Sequence, residues 1–494
     1  MQKLIKISNL NLPTIHEISL PLQIKELIKA LSEETSDIYL VGGFVRDMVL
    51  RNSSYDLDFI VVNKNAVELG KELALKFDGN SFILDKITGT TRVVLKDNLT
   101  QSYTFDFTSV LESNLDADFA RRDFTINALA IKLREPDTLI DKFSGLDDLT
   151  QKKVKAISLK NLLEDPLRFV RAFRFASHLQ GDISPETYDF ICENLTSFND
   201  SVAAERISTE LWKILDNKQC SKYIKKMAES GLLEKIIPEL IPMKKVTPND
   251  HHHLWLFDHS LELIKTFEEN FYKMPEWAQA ELEAPFGNLD SPKKNSIAKL
   301  GCLLHDVGKP DTWEIKSVNA TEKHTFYGHD KLGAELTDKI SERLKFSNSI
   351  RQSLEKLVRY HLRPYQLSQP EMPITEKALF RFFRDVNEDT TMLLMLSIAD
   401  SYATLGPKIT KDDLEKNEKL LLFLLDEYKK YRTKEIEKAS KPKLIDGNEI
   451  MKLTGMKPSK KLGDIIKELD ESIAVGEILT KDDAIKWIMT RVKS

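Results

Sequence analysis

Asp56 and Asp58 stand two residues apart in SYDLDFIVV, a run whose apolar residues read as a β-strand. Residues two apart on a strand leave the same face. Two carboxylates that close repel unless a cation lies between them. Mg2+ held by one or two carboxylates and by substrate phosphates is the usual arrangement in phosphoryl chemistry. Nine residues upstream, LVGGFVRD (40–47) ends; it is a β-run, a glycine pair and a helix-like continuation. Gly42 and Gly43 allow a phosphate to approach the backbone beside a helix N-terminus, which favours anions. Asp106, in FDFTSV, is a third carboxylate on a β-run. It either completes a metal site or serves as base for an attacking hydroxyl, or it is an aspartate at a strand edge. DFARRDFTINALAI (118–131) then offers Arg121 and Arg122 as fixed positive charge for a triphosphate. Asp123 beside them could accept a ribose hydroxyl; the alternative for all three is a surface ion-pair patch.

A different pairing occurs in LEDPLRFVRAFRFA (163–176), which reads as one helix. Asp165 and Arg168 are three apart, hence neighbours on one helical face. Cytosine and adenine each present an exocyclic amino donor beside a ring-nitrogen acceptor, whereas guanine and uracil present a carbonyl and a ring N–H. One Asp/Arg pair therefore accepts C and A and rejects G and U, at about 1–3 kcal/mol per unsatisfied contact. Spacing alone favours an exposed ion-pair stripe over base reading. Arg171 and Arg174 continue the three-residue spacing toward phosphates. In AERISTELWKIL (204–215), Arg206 and Glu210 fall at i and i+4, a pair that braces a helix.

Eight of the ten histidines lie between 251 and 361. That crowding marks a metal or hydrolase module, since imidazoles and carboxylates together hold divalent metals that activate water.

These side chains need scaffolds. IYLVGG (38–43), LDFIVV (57–62), TTRVVL (90–95), YTFDFTSV (103–110) and INALAIKL (126–133) are β-like runs with helical patterns between them. The β signal fades after about 150, and helical apolar spacing takes over. The expected class is α+β: a small head with a mixed sheet, then an almost all-helical remainder. The 494 residues suffice for three or four domains at about 100–200 residues each. A formal charge of −5 excludes a globally basic coat for nucleic acid, though not a local basic surface. Within the tail, 429–443 carries seven basic and two acidic side chains. With Lys457, Lys460 and Lys461, it reads either as an RNA-backbone contact or as a solvated face. Cys192, Cys220 and Cys302 form no CxxC and read as reduced thiols. With no apolar leader and no membrane-length apolar run, the expected location is the cytoplasm, away from any membrane.

GGFVRD, then DLD, then RRDFTINALA resembles the class II tRNA nucleotidyltransferase and bacterial poly(A) polymerase family, within the polymerase β-like nucleotidyltransferases. FSGLDDL (143–149) is similar to that family's head-to-neck connector, and Glu164-Asp165…Arg168 to its EDxxR motif. HHHLWLFDHS, LLHDVGKP, HTFYGHD, VRYHLRP and LSIADSYAT resemble the HD phosphohydrolase superfamily. The resemblance implies five segments: a nucleotidyltransferase head (1–150), a helical neck (151–215), a body or linker (216–250), an HD domain (251–405) and a helical, RNA-contacting tail (406–494). It implies CCA addition to tRNA from CTP and ATP, with no DNA partner. Asp56 and Asp58 would hold Mg2+, assisted by Asp106. Gly42, Gly43, Arg46, Arg121 and Arg122 would cradle the triphosphate, while Asp165 and Arg168, braced by Glu164, would read the base. His259, His305, Asp306 and Asp400 would hold a transition metal or Mg2+ in the HD site, and His329 and His361 a second metal. Lys309 would bind a phosphate. Rival readings are a poly(A) polymerase, an enzyme adding CC or A alone, and a hydrolase acting through the HD site. A chain ending at Ser494 without a long basic extension favours tRNA over polyadenylation. A guanosine-tetraphosphate synthetase/hydrolase would place its HD module first.

Overall fold

The computed structural model describes residues 3–15, 17–85, 89–96, 102–198, 202–248, 254–288, 291–318, 321–367, 374–404, 409–439 and 444–493. The histidine run 251–253 and part of the basic stretch 429–443 lie outside them. Two compact units form: Met1–Ile214 with Lys226–Lys235, and Leu215–Lys225 with Ile236–Ser494.

The first unit is built on an eight-stranded sheet. Its strands are β1 (Lys3–Lys6), β2 (Ile38–Val41), β3 (Asp56–Val62), β4 (Asn80–Asp85), β5 (Thr90–Lys96), β6 (Ser102–Val110), β7 (Leu129–Lys132) and β8 (Thr138–Asp141), in the order β1-β8-β7-β2-β3-β6-β5-β4. β3 and β6 run parallel, and the other pairings are antiparallel. The strand period sorts β3 by chemistry. Leu57 and Phe59 point into the core, where Phe59 stacks on Phe105 and Phe107 at 6.4 and 5.1 Å between centroids. Asp56 and Asp58 take the other face. All five expected β-runs contain strands; β1, β4 and β8 were not legible. In β4, consecutive Phe82, Ile83 and Leu84 are each about half exposed at the sheet edge, so no alternation marks the strand.

Four helices carry or shape the site: α1 (Gly43–Val49), α2 (Leu159–Glu164), α3 (Leu167–Leu179) and α4 (Ala204–Leu215). The single helix expected over 163–176 is two. Asp165 is extended (φ −141°, ψ 93°) and Pro166 starts the next helix, because proline disfavours the α conformation in the residue before it. The connector FSGLDDL is a tight corner. Asp141 accepts the backbone N–H groups of Gly145 and Leu146, and Asp148 accepts the Thr125 hydroxyl at 2.7 Å. A Cβ on Gly145 would lie 2.2 Å from the Thr125 carbonyl oxygen, so only glycine fits.

Among the described residues, the second unit is helical apart from an isolated bridge between Pro285 and Lys293 and a hairpin, Glu314–Val318 against Thr321–Thr325, which polar sequence had concealed. Its centre packs α5 (Leu256–Asn270), α6 (Lys294–Leu304), α7 (His329–Arg343), α8 (Asn348–Tyr360) and α9 (Thr390–Ala403). α9 is apolar nearly all round, as a fully buried helix must be. The tail has its own core around Ile445, Ile450, Leu462, Leu469 and Ile488. Gly455 and Gly476 end helices there with positive φ, whereas Gly463 lies inside one.

Candidate active site

Every head and neck residue singled out above, except Glu164 and Glu210, lines one cavity of about 640 Å3. Gly42 closes one wall at φ +75°, where a Cβ would fall 2.9 Å from Asp58 Oδ2 and 3.6 Å from an Arg122 nitrogen. Glycine is required there for both reasons. Asp58 and Asp106 are register partners on β3 and β6. Arg92, on β5, grips Asp106 with two 2.8 Å hydrogen bonds, and Thr104 donates to Asp56. Burial, and then the charge of Asp106, pushes the Asp58 carboxyl up to about 6. Two neighbouring carboxylates, one raised by the other, make a donor set that a cation would suit, and carboxylate oxygens are ligands fitted to Mg2+.

Arg121 and Arg122 both lean on the buried Asp118, which accepts Arg121 Nε at 2.9 Å and Arg122 Nη2 at 3.3 Å. Asp123 is not open to a ribose. Its Oδ1 accepts Phe124 N at 2.7 Å and Asn127 Nδ2 at 3.0 Å, and its Oδ2 accepts Arg171 at 2.6 and 2.9 Å. All four acceptor positions of the carboxylate are thus taken by protein donors. Burial pushes Asp123 up, but Arg171 and these donors outweigh it and hold it below the usual range. Arg46 likewise grips Asp47 and Asn127, and its guanidinium lies 5.0 Å from the Phe175 ring centre.

The neck differs from its sequence reading in two pairings. Arg206 does not brace Glu210. It pairs with Asp165 at 2.8 and 3.3 Å, while buried Glu210 pairs with Arg171 at 3.3 Å and Arg174 at 2.6 Å. Glu164 does not brace Arg168. It lies 4.0 Å from Lys160, and Arg168 donates instead to the Asn161 carbonyl at 2.9 Å. Arg206 and Glu210 do share the unbroken α4, but each takes a partner on another element instead; for Glu164 and Arg168, the break at Asp165 removes the i, i+4 geometry of one helix. The signal for it, Pro166, stood in the sequence. Arg174 packs 3.8 Å from the Phe175 ring centre, and burial pulls its guanidinium down to about 10. Arg92, Asp118, Asn127 and Asn161 carried no sequence signal beyond a charged or polar residue among apolar ones, and Phe175 read only as one more apolar residue of its helix.

The second unit has a separate cluster. His259, His305 and Asp400 form one trio and Asp306, His329 and His361 another, each with ligand atoms within 4.8 Å of one another. Asp306 sits between them, 3.0 Å from His305 Nε2 and 3.4 Å from His329 Nε2, with Lys309 Nζ at 2.6 Å. Backbone carbonyls fix three of the rings: Cys302 O, Phe326 O and Val358 O hold Nδ1 of His305, His329 and His361 and turn Nε2 inward. That arrangement prepares imidazoles to ligate metal. Burial opposes the charge of His305, but Asp306 outweighs it and raises the ring above its ordinary value. Burial lowers His361 to about 4, so it is neutral near pH 7. Asp306 is held well below the carboxylate range, its burial outweighed by His305 and Lys309. A mixed imidazole and carboxylate set fits a divalent metal.

Comparison with known proteins gives this geometry a family. Residues 38–155 match the poly A polymerase head domain, 182–244 the probable RNA and SrmB-binding site of polymerase A, and 256–405 the HD domain. An A-adding tRNA nucleotidyltransferase of Deinococcus radiodurans is 30% identical over 453 residues, covering 91% of this chain and 94% of that one. A CC-adding tRNA nucleotidyltransferase of Thermus thermophilus is 28% identical, covering 92% and 93%. A solved CCA-adding enzyme with ATP shares the fold at a TM-score of 0.64 and 20% identity, over 100% of this chain and 99% of that one. Nucleotidyltransferase heads and HD domains are metal-dependent, and the two trios of the HD domain are in keeping with that. No helix among the described residues is long and apolar enough to cross a membrane. The chain is an enzyme of the tRNA nucleotidyltransferase and poly(A) polymerase family, with an HD domain.

Proposed function

We propose that this enzyme adds C, C and A in turn to the 3′ end of tRNA, taking CTP and ATP and releasing pyrophosphate, in the cytoplasm. One observation carries the reading. A single cavity is lined by the paired carboxylates on β3, by Asp165 and Arg168, and by several arginines. A nucleoside triphosphate needs all three surfaces: carboxylates that hold a metal at the α-phosphate, cations along the phosphates and a polar pair at the base.

In this reading the RNA 3′ oxygen forms a bond to the α-phosphorus as the bond to the pyrophosphate oxygen breaks. Asp56 and Asp58 would hold Mg2+, whose charge acidifies the hydroxyl and offsets the departing phosphates. Asp106, aligned by Arg92, would assist. Arg121 and Arg122 reach the phosphates, and Gly42 and Gly43 let them come close. Arg46, Arg171 and Arg174 are positioned by Asp47, Asp123 and Glu210 and line the floor. Asp165 and Arg168 would accept C and A. The HD trios would hold divalent transition metal or Mg2+ and hydrolyse phosphate esters as a second activity, with Lys309 at the phosphate.

A second reading, addition of A alone or CC alone, is favoured by the names of the two relatives that span nearly the whole chain. Purified protein, given tRNA ending before CCA, each labelled nucleotide and Mg2+, distinguishes them when the products are sequenced. CCA ends support the first reading. Ends bearing C alone, or A only on tRNA already ending in CC, support the second. Long A tracts on any RNA would sink both.

A further inference from the structure

We infer that Asn161 is a positioning residue that couples base selection to triphosphate alignment; this rests on the nucleotidyl-transfer reading above. Asn161 lies in α2 and is 7% exposed. Its Nδ2 donates two hydrogen bonds, to the carbonyls of Ala120 at 2.7 Å and Arg122 at 2.8 Å. Those carbonyls bracket Arg121. Its own carbonyl accepts Arg168 Nη1 at 2.9 Å. One residue therefore touches both the phosphate-facing arginine segment and the base-facing arginine.

The local geometry explains why such a tie is needed. α2 ends at Glu164, and Asp165 is extended before Pro166. No continuous helix fixes the direction of Arg168 relative to the head. The Asn161 carbonyl is in the last turn of α2, where carbonyls lack intrahelical donors and attract a cation. A guanidinium gives that carbonyl a charge-assisted partner. On the far side, Arg122 reaches Asp118 and the wall formed by Gly42, next to Asp58. The path Arg168–Asn161–Arg122 thus ends beside the carboxylate pair. A base that displaces or tilts Arg168 pulls on the carbonyl of Asn161. Because the Asn161 side chain is bonded to the backbone of Arg122, the pull shifts the arginines that face the phosphates. A wrong base is then penalised in turnover as well as in binding.

The test compares Asn161→Ala and Asn161→Asp with the parent enzyme, alone and in an Arg168→Ala background. It uses single-turnover transfer of all four nucleotides to tRNA ends, with thermal melting as a check of folding. Asn161→Asp keeps the shape and the carbonyl but loses both donors. Each Asn161 variant should raise KM for CTP and ATP about tenfold and lower the preference for C and A over U and G about tenfold, as for loss of one or two hydrogen bonds. In the Arg168→Ala background, either variant should leave the remaining preference unchanged, because the effect runs through Arg168. If Asn161 is only a structural support, both variants will lower the melting temperature and kcat while leaving base preference intact, or their effects on preference will add to that of Arg168→Ala. Either result overturns the inference. Absence of transfer by the parent enzyme would overturn the function reading and this inference together.

Discussion

Arg206 and Asp165 meet through two hydrogen bonds, 2.8 and 3.3 Å, joining α4 to the break between α2 and α3. Asp165 is the carboxylate proposed to accept a base's amino group. Its orientation comes from a guanidinium 41 positions along the chain. Both groups are partly exposed, so their pairing adds little to stability. Arg206→Ala should leave the melting temperature nearly unchanged and raise incorporation of U and G about fivefold, as for loss of one charge-assisted contact. Competition between nucleotides in one tube, read by sequencing, measures it.

Asp58→Asn should reduce transfer by about a thousandfold or more, as expected when a charge-stabilising group is lost from a reaction centre. Hydrolysis by the HD site should persist. His305→Ala should do the reverse. Both activities assayed on each variant decide the point, and loss of both from either variant would contradict two independent centres.

The raised Asp58 carboxyl gives a pH dependence with a defined sign. Its folded value, about 6, lies above the ordinary 3.8. The folded chain therefore holds that proton more tightly than the unfolded one, and metal-free stability from this group falls as pH rises between the two values. Mg2+ competes with the same proton, so its affinity for the head should weaken below pH about 6. Transfer at limiting Mg2+ should show an acid limb there that moves lower as Mg2+ is increased. Asp58→Asn should raise the melting temperature of metal-free protein above pH about 7 and shrink its stabilisation by Mg2+. A melting temperature that falls, or a limb indifferent to Mg2+, would count against the assignment.

Buried Glu210 neutralises two partly buried guanidiniums, Arg171 and Arg174. Glu210→Ala removes the ion-pair partner whose charge opposes the burial that pulls the Arg174 guanidinium down. Breaking such a buried pair costs about 3 kcal/mol. Urea unfolding followed in the first unit should show a destabilisation of that size. A change smaller than about 1 kcal/mol would mean that solvent reaches the pair.

The two HD trios should differ in their response to acid. His305 is raised above 6.5 by Asp306, so protons displace metal from the trio with His259 and Asp400 first. Burial lowers His361 to about 4 and lowers His329 as well, so the imidazoles of the other trio stay unprotonated and able to bind metal further into acid. Mn2+ titration at pH about 8 and about 6 should lose one site before the other. His361→Ala should remove the acid-resistant one.

The chemistry of this protein was legible where it depends on local period. Asp56 and Asp58 share a face because a strand alternates, and Leu57 and Phe59 must then be core. The order of the glycine pair, the carboxylates, the arginines and the histidine cluster could likewise be read along the chain. What the sequence could not express was which distant group each side chain would choose. Arg92 reaches Asp106 because β5 lies against β6. Arg206 reaches Asp165 and Glu210 reaches Arg174 because both helix residues face other elements of the neck and not one another; Arg168 turns to the Asn161 carbonyl where Pro166 divides a helix that spacing treated as continuous. Asp123, expected at a ribose, is filled by Arg171, Asn127 and a backbone N–H that only folding brings to it. Periodicity is a property of a few neighbouring residues and survives in a linear text. The partner of a buried charge is set by desolvation and packing across the whole unit, and only the tertiary structure decides it.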